Sequence, residues 1–415
     1  MDFGGGAVLS WSSGGAMSEW ERWRRALAEA PLPTGLVDLD ALDHNVDTVV
    51  GALADGPTLR VASKSVRVPA LLRHIQARVG PRAVGLMTYH AHETAWLAEQ
   101  GFEDLLLAYP IGRADEAAAL ARAAAKTVVR AAVDHVDQAW LLSAAAVAAG
   151  VTLGVCLDVD VSWRPLGGAA HLGVRRSPLR GPDDAAKLAR AVRELPGLTV
   201  DAVMAYEAQV AGLPDVVPGE GALAPVRRLI KWRSVGLAAA RRAEVVAALR
   251  ADGHTVRVVN GGGTGSVAST SVDPSVTEVT AGSGFLCPHL FDGYDGLPLR
   301  PALLFALAVV RRSDGDHVTC YGGGYAASGP AGASRGPKVL WPTGLEPVAL
   351  EGFGEVQTPF RVTPGAPAPQ LGDPVVCRPA KAGELAERFG SYLLVRGDRV
   401  VEQVPTARGM GVGFG

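Results

Sequence analysis

The stretch Val61-Ala62-Ser63-Lys64-Ser65-Val66-Arg67-Val68 joins an apolar run to an Ala- and Leu-rich helical pattern that starts at Pro69. A strand that carries Val61 and Ala62 places Lys64 at its carboxyl end, where the next loop begins. In a barrel of parallel strands, catalytic residues lie at this rim. A lysine beside apolar neighbours can lose its proton and attack a carbonyl group, so Lys64 is a candidate catalytic residue. The alternative is a lysine at a strand end with no chemical role. Other features of the sequence are needed to distinguish these two interpretations of Lys64.

Strand and helix patterns alternate regularly around this stretch. Apolar runs predict strands at residues 60–63, 84–87, 104–108, 128–133, 152–159, 200–204, 256–260 and 276–279. Helical patterns lie between these runs. This alternation over roughly 250 residues is typical of a (β/α)8 TIM barrel. An open doubly wound sheet is the alternative, and the lack of a glycine-rich turn after the first strand counts against it.

The pattern changes after residue 284. Helical periodicity nearly disappears, glycine and proline become more frequent, and short β-type runs follow one another. The sequence therefore predicts an α/β chain, with a TIM barrel at residues 17–284 followed by a C-terminal β-rich domain at residues 285–415. Residues 17–35 could also pack on the β-domain. Residues 1–16 are rich in glycine and serine and are expected to be a disordered leader.

Composition limits the partners and the compartment. The 415 residues carry a formal net charge of −2, and no segment combines Lys and Arg with aromatic residues, so nucleic-acid binding is not expected. No apolar run is long enough to cross a bilayer without charges, so no membrane association is expected. The four cysteines are far apart and fit neither a disulfide framework nor a zinc pattern. Reduced thiols in a cytoplasmic protein are the expectation.

Two turns of small residues follow the last two predicted strands. Residues 260–266 read Asn-Gly-Gly-Gly-Thr-Gly-Ser, and residues 277–284 read Thr-Glu-Val-Thr-Ala-Gly-Ser-Gly. Such turns offer backbone N–H groups with no side chains in the way. The loops after the seventh and eighth strands are the usual phosphate site of a TIM barrel. The two turns therefore predict one phosphate site, and flexible turns without a ligand are the alternative.

Polar residues at two other strand ends have open interpretations. Asp158 and Asp160 share one face of a strand, and a barrel interior tolerates carboxylates only when they are paired. They are either a structural ion pair or contacts of a cofactor site. Tyr206 follows the strand at residues 200–204, and both rim packing and a cofactor contact remain open for it.

Lys64, the run at residues 261–266 and the run at residues 277–283 occur in a characteristic order. In this order they resemble the pyridoxal 5′-phosphate (PLP) enzymes of fold type III, which combine an alanine-racemase-type barrel with a C-terminal β-domain. Within that group, the chain is most similar to the D-threonine aldolase and D-serine dehydratase branch. The resemblance covers nearly the whole chain. It implies PLP as cofactor and an amino acid as small-molecule substrate.

The resemblance also implies roles for individual residues. Lys64 would carry PLP as a Schiff base, and backbone amides of the two turns would hold the phosphate. The residues implied to contact the cofactor are Lys64, Arg164, His171, Tyr206, Gln209, Gly262, Gly263, Thr264, Thr280, Gly282 and Ser283. Thr280 stands where related racemases have an arginine facing the pyridine nitrogen. Either Arg164 or His171 would replace a second arginine, in the distorted racemase-like stretch that follows Asp160.

One departure from the family concerns its divalent metal. Aldolases and dehydratases of this branch bind a cation through a His-x-Asp or His-x-Cys pair of the C-terminal domain, and the cation polarises the substrate's β-hydroxyl group. Here the pair falls on Pro379 and Lys381 or on Lys381 and Gly383, which are not metal ligands. A metal site is therefore not expected there. We hypothesise that the Lys381 ammonium group takes the electrostatic place of the cation.

The resemblance favours a PLP-dependent carbon–carbon lyase, similar to D-threonine aldolase, that acts on a β-hydroxy D-amino acid. Lys64, Tyr206 and Lys381 are the candidate catalytic residues, and a rim base, for which a histidine is one candidate, would remove the β-hydroxyl proton. Dehydration and deamination of a D-hydroxy amino acid, racemisation or epimerisation, and PLP binding without catalysis are the alternatives. The architecture implies a homodimer, in which the β-domain of the second subunit completes the active site.

Overall fold

The computed structural model describes residues 17–217, 219–313 and 316–414. The predicted leader at residues 1–16 lies outside these ranges. The strands are β1 (Thr34–Asp38), β2 (Thr58–Ala62), β3 (Ala83–Thr88), β4 (Leu105–Leu107), β5 (Val129–Val133), β6 (Leu153–Asp158), β7 (Leu198–Met204), β8 (Val258–Gly261), β9 (Glu278–Ala281), β10 (Leu303–Ser313), β11 (His317–Tyr321), β12 (Lys338–Trp341), β13 (Leu345–Pro347), β14 (Gln357–Val362), β15 (Pro374–Arg378), β16 (Ser391–Arg396) and β17 (Arg399–Pro405). The helices are α1 (Glu19–Ala26), α2 (Leu39–Gly51), α3 (Pro69–Val79), α4 (Ala91–Glu99), α5 (Ala114–Ala124), α6 (Val136–Ala149), α7 (Pro182–Arg193), α8 (Ala208–Ala211), α9 (Ala224–Ala251), α10 (Val267–Ser271) and α11 (Ser283–Leu286).

Strands β2 to β9 form a closed parallel barrel. Each strand pairs with the next along the chain, and β9 returns to pair with β2, with Thr58 opposite Glu278. Each strand of this barrel overlaps one of the apolar runs that predicted a strand. The prediction of a TIM barrel followed by a C-terminal β-rich domain is confirmed.

The inside of the barrel contains an ion network below an apolar layer. The buried Arg60 guanidinium donates to the Glu278 carboxylate at 2.7 Å, and Arg130 bridges Asp201 and Asp104 at 2.9 Å each. The side chains of Leu106, Ala132, Cys156, Ala202 and Met204 form the apolar layer. These layers fill the lower barrel, below the carboxyl ends of the strands, where the catalytic residues of this fold lie.

The second sheet includes a strand from the start of the chain. Strand β1 pairs antiparallel with β10 and parallel with β16, in a sheet ordered β13-β14-β11-β10-β1-β16-β17, with β15 also on β10 and β12 on β15. Helix α1 begins with a capping box between Ser18 and Glu21 and packs on β15 and β17, and its buried Trp23 stacks on Trp341. The domain boundaries at residues 17–284 and 285–415 stay predictions.

None of the helices in the described part of the chain has both the length and the hydropathy needed to span a membrane.

Candidate active site

One cavity of about 580 Å³ opens at the carboxyl ends of the barrel strands. The ends of β2, β3, β4, β6, β7, β8 and β9 line its inner wall, and residues 380–384, which follow β15, line its mouth. Lys64 and Lys381 both line this cavity, although 317 positions separate them in the chain. The structure therefore brings these two candidate residues together.

Lys64 lies in a single 3-10 turn (Ser63–Ser65) directly after β2. Its Nζ atom donates a hydrogen bond to the Tyr109 hydroxyl at 2.9 Å. Its carbonyl oxygen packs against Gly383 so closely that a Cβ atom at Gly383 would lie 2.0 Å from it. The β-domain loop that contains Gly383 is thus in direct contact with the backbone of Lys64.

The two small-residue turns meet beside Lys64. The hydroxyl groups of Ser65 and Ser283 lie 2.8 Å apart, and Thr264 accepts the N–H group of Gly284 at 3.1 Å. Within the described residues, the backbone N–H groups of Thr264, Gly282 and Ser283 donate to no protein atom. Gly282 is buried, and buried N–H groups are nearly always paired. These groups form a cradle suited to the oxygens of an anion.

Gly262 and Gly263 lie next to this cradle, but their backbone N–H groups already have protein acceptors. The N–H group of Gly262 donates to the Glu207 carboxylate at 3.3 Å, and that of Gly263 donates to the Ser266 hydroxyl at 3.2 Å. The guanidinium group of Arg242 also binds Glu207. This buried network anchors the glycine turn from below.

Tyr206 lines the cavity and Gln209 does not. Burial is the main reason that the pKa of the Tyr206 hydroxyl is raised to about 12, with the nearby Glu207 carboxylate as a second cause. Gln209 is buried behind the wall, where its side-chain amide donates to the Val161 carbonyl at 2.8 Å. Its other side-chain atom, Oε1, has no protein partner within the described residues.

Neither Arg164 nor His171 reaches the cavity. Arg164 pairs with the Asp160 carboxylate at 2.6 Å, and His171 contacts the Val174 carbonyl at 3.1 Å. Arg176 is the arginine of this segment that lines the cavity. The expectation that Arg164 or His171 fills the arginine's place therefore does not match their positions, because the loop after β6 turns both side chains back onto itself.

Arg176 and Tyr109 are two cavity residues that sequence reasoning missed. The Arg176 guanidinium group lies 5.4 Å from the Tyr109 ring centre and 5.7 Å from that of Tyr206. Burial raises the pKa of the Tyr109 hydroxyl, but the charges of Lys64 and Arg176 outweigh this effect and lower it. The available signal for Tyr109 was its position just after the predicted strand at residues 104–108.

Thr280 lies on the cavity floor as a neutral hydroxyl group. The Asn260 side chain donates to Thr280 Oγ1 and to Glu278 Oε1, at 2.8 Å each. Since Thr280 Oγ1 accepts this hydrogen bond, its own O–H group is left to donate into the cavity.

The two aspartates at the end of β6 differ in their surroundings. Asp160 accepts from the Ser162 amide at 2.8 Å and from Arg164, and although burial opposes it, these contacts lower its pKa. Asp158 lines the cavity with no such partner, and mainly burial raises its pKa to about 7. Asp160 therefore forms a local ion pair, whereas Asp158 faces the ligand space.

Lys381 belongs to a polar cluster at the cavity mouth. Its Nζ atom donates to the Ser328 hydroxyl at 2.8 Å and lies 3.6 Å from Glu384, which also accepts from Ser328. Across residues 17–217, 219–313 and 316–414, no group of three or more His, Cys, Asp or Glu side chains could hold a metal ion. The absence of a metal site stays a prediction.

Comparisons with known proteins match this architecture. Residues 37–283, more than half of the chain, match the family described as alanine racemase, N-terminal domain. The chain belongs to this family. The family uses pyridoxal 5′-phosphate, and the predicted resemblance to fold type III and its D-threonine aldolase branch is confirmed.

Two curated enzymes are similar in sequence. A D-threonine aldolase from Arthrobacter sp. is 27% identical over 386 residues, which cover 91% of this chain and 92% of that enzyme. A 3-hydroxy-D-aspartate aldolase from Paracoccus denitrificans (strain Pd 1222) is 28% identical over 264 residues, which cover 62% of this chain and only 60% of that enzyme. The expectation of an enzyme of the lyase class is confirmed.

A solved structure shares the fold. The crystal structure of D-threonine aldolase from Filomicrobium marinum superposes with a TM-score of 0.77 at 23% identity and covers 92% of this chain and 96% of that one. At this identity the likeness shows the fold alone.

Proposed function

We propose that this enzyme is a PLP-dependent carbon–carbon lyase that cleaves a β-hydroxy D-amino acid to glycine and an aldehyde. The observation that carries the proposal is the convergence of Lys64, the anion cradle and Lys381 on one cavity. The similarity to two aldolases supports the reaction type.

The residues present fit PLP. The buried and unbonded N–H group of Gly282, with those of Thr264 and Ser283, matches the phosphate oxygens, and a Cβ atom at Gly282 would fill this space. Lys64 Nζ lies in the same cavity and would be the attachment point. Tyr206 would lie at the cofactor's side, and Arg176 at the edge of the cavity is suited to an anionic ring substituent.

PLP, when bound, supplies an electron sink for the bonds at the substrate's α-carbon. Which of the bonds at the α-carbon breaks would depend on the protein side chains around that carbon. Thr280 offers a neutral hydroxyl donor at the cavity floor, which does not require a positive charge on a ring nitrogen. Lys381 would hold the substrate's β-hydroxyl group by its ammonium charge, where Ser328 and Glu384 orient it.

Incubation of the purified protein with D-threonine, L-threonine and D-serine, followed by chiral product analysis, tests the reaction. We expect glycine and acetaldehyde from D-threonine only. A keto acid with ammonia would identify a dehydratase, and inversion without cleavage would identify a racemase. No turnover by a protein that binds PLP would identify a non-catalytic binder.

The cofactor is tested separately by visible absorption. The wild-type protein should be yellow or become so when PLP is added, and Lys64→Ala should lose the bound chromophore. The surface substitution Lys187→Ala, on the exposed side of α7, is the matched control. A wild type that stays colourless with added PLP would contradict the proposal.

A further inference from the structure

Tyr109 is the titratable side chain in direct contact with the Lys64 amine. It follows β4 by two positions, and its hydroxyl group lies 2.9 Å from Lys64 Nζ. The Lys64 ammonium group is 5.5 Å from the Tyr109 ring centre, and the Arg176 guanidinium group is 5.4 Å from it on the same ring. A phenol close to two cations is stabilised as phenolate.

The described residues that line the cavity include no histidine. Among the described residues of this chain, the cavity therefore offers a base only of another residue type. Among the lining carboxylates, Asp160 is held by Arg164, and Glu384 is held by Ser328 and Lys381. Asp158 faces Arg176 but has no hydrogen bond to Lys64.

Tyr109 differs from four other half-buried or buried tyrosines of the described residues. Lys64, Arg176 and Tyr206 are the titratable groups that face it. Burial raises the pKa of Tyr89, Tyr206, Tyr294 and Tyr392, and no cation contact outweighs it there. The two cations next to Tyr109 do outweigh burial, so its hydroxyl group loses its proton more easily than an ordinary phenol.

We propose that Tyr109 is the general base of the lyase and that its phenolate oxygen takes the proton of the substrate's β-hydroxyl group. This step rests on the proposed function. The O–H and Cα–Cβ bonds break, the aldehyde C=O bond forms, and the electron pair stays with the α-carbon. Lys64 Nζ, 2.9 Å from Tyr109 Oη, passes the proton to that carbon, which yields glycine and restores the phenolate.

The ionisation of Tyr109 is measurable without turnover. An ultraviolet titration of tyrosinate in the full chain freed of PLP should show one phenol that titrates below the ordinary pKa of about 10. Tyr109→Phe should remove this step, and Lys64→Met should move it to higher pH. Tyr392→Phe is the matched control, because the hydroxyl group of this buried β-domain tyrosine has no protein partner within the described residues. An unchanged titration of Tyr109→Phe would overturn the proposal.

Kinetics test the catalytic role. With D-threonine, we expect Tyr109→Phe to lower kcat by roughly 100- to 1,000-fold while bound PLP remains visible. Tyr392→Phe should keep wild-type rates. Because a base acts only when deprotonated, wild-type kcat/KM should fall as the pH drops through the pKa of Tyr109. Tyr109→Phe should lack this acidic limb.

The outcomes separate this inference from the proposed function. A wild type that forms no aldehyde overturns the proposed function and this step with it. An active wild type matched by Tyr109→Phe within about threefold overturns the assignment of Tyr109 alone. The same holds if Asp158→Asn removes the acidic limb while Tyr109→Phe retains it.

Discussion

Lys381 is the cation that the β-domain brings to the cavity mouth. The Ser328 hydroxyl and the Glu384 carboxylate hold its Nζ atom, at 2.8 Å and 3.6 Å. A fixed ammonium group can stabilise negative charge that develops on a substrate oxygen, as a metal ion does in other lyases. Its side chain offers three donors and no metal-binding lone pair when charged.

We expect Lys381→Met to lower kcat for D-threonine cleavage by about 100-fold, because one preorganised charge is lost from the site. Exhaustive chelation should leave wild-type activity unchanged, and the surface variant Lys187→Met should behave as wild type. Steady-state kinetics measure these activities, and elemental analysis measures the content of bound divalent ion. A stoichiometric divalent ion in the active protein would contradict this role of Lys381.

Glu93 is a buried carboxyl group in the first turn of α4. It is 3% exposed and accepts the N–H group of Tyr89 at 2.8 Å, and mainly burial raises its pKa to about 7. An unfolded glutamate titrates at about 4.3. Since the folded state holds this proton more tightly than the unfolded state, stability is lost as the pH rises from about 4 to about 7.

Glu93→Gln should remove this loss, because glutamine is isosteric, uncharged and able to accept the same hydrogen bond. The gain in the free energy of unfolding relative to wild type should grow by roughly 2 kcal/mol between about pH 5 and about pH 8. Urea unfolding at both pH values measures it, with the exposed Glu103→Gln as control. An equal effect at both pH values would argue against a raised pKa of Glu93 in the folded state.

At the scale of elements, the cradle depends on the turn between β9 and α11. A Cβ atom at Gly282 would lie 2.9 Å from Ala62 Cβ and 3.0 Å from Ser65 Oγ, on the β2 side of the cavity. The end of β9 can therefore approach the end of β2 because Gly282 has no side chain. The space that remains beside Gly282 is available to a phosphate group.

Gly282→Ala should weaken PLP binding at least about tenfold, which corresponds to about 1.4 kcal/mol. Fluorescence titration of the cofactor-free chain with PLP measures this change. Gly236→Ala is the matched control, because Gly236 lies in the exposed middle of α9 with no atom within 4 Å of its added Cβ. Unchanged PLP affinity in Gly282→Ala would show that the phosphate binds elsewhere.

At the scale of the molecule, the barrel and the β-domain build the cavity together. Gly383 of the β-domain packs on the carbonyl oxygen of Lys64, and β1 ties the start of the chain into the C-terminal sheet. Two domains that share one site have little freedom to move separately.

We expect the protein to be a homodimer, because in the family architecture the β-domain of a second subunit completes the active site. Light scattering coupled to size exclusion should give about twice the 42.9 kDa mass of the chain. Dilution should lower the specific activity in parallel with dissociation. A fully active monomer would contradict this expectation.

Local patterns predicted the barrel strands and the position of Lys64, because burial on parallel strands leaves continuous apolar runs in the sequence. The anion cradle could also be predicted from the glycine turns, because the absence of side chains is what leaves backbone N–H groups accessible to a ligand. Although packing of residues 17–35 on the β-domain was one expectation, local patterns did not identify the partners of β1. Its pairing with β10 and β16 joins residues more than 260 positions apart.

The amino-acid sequence by itself determined the barrel, the lysine at its rim and the small-residue turns, because each follows from neighbouring residues. Only the tertiary structure decided which side chains share the cavity. It selected Arg176 rather than Arg164 or His171, and it brought Tyr109 to Lys64 across 45 positions. The physical reason is that barrel closure and the path of the loop after β6 decide which side chains point into the cavity. Neither leaves a periodic signal in the sequence.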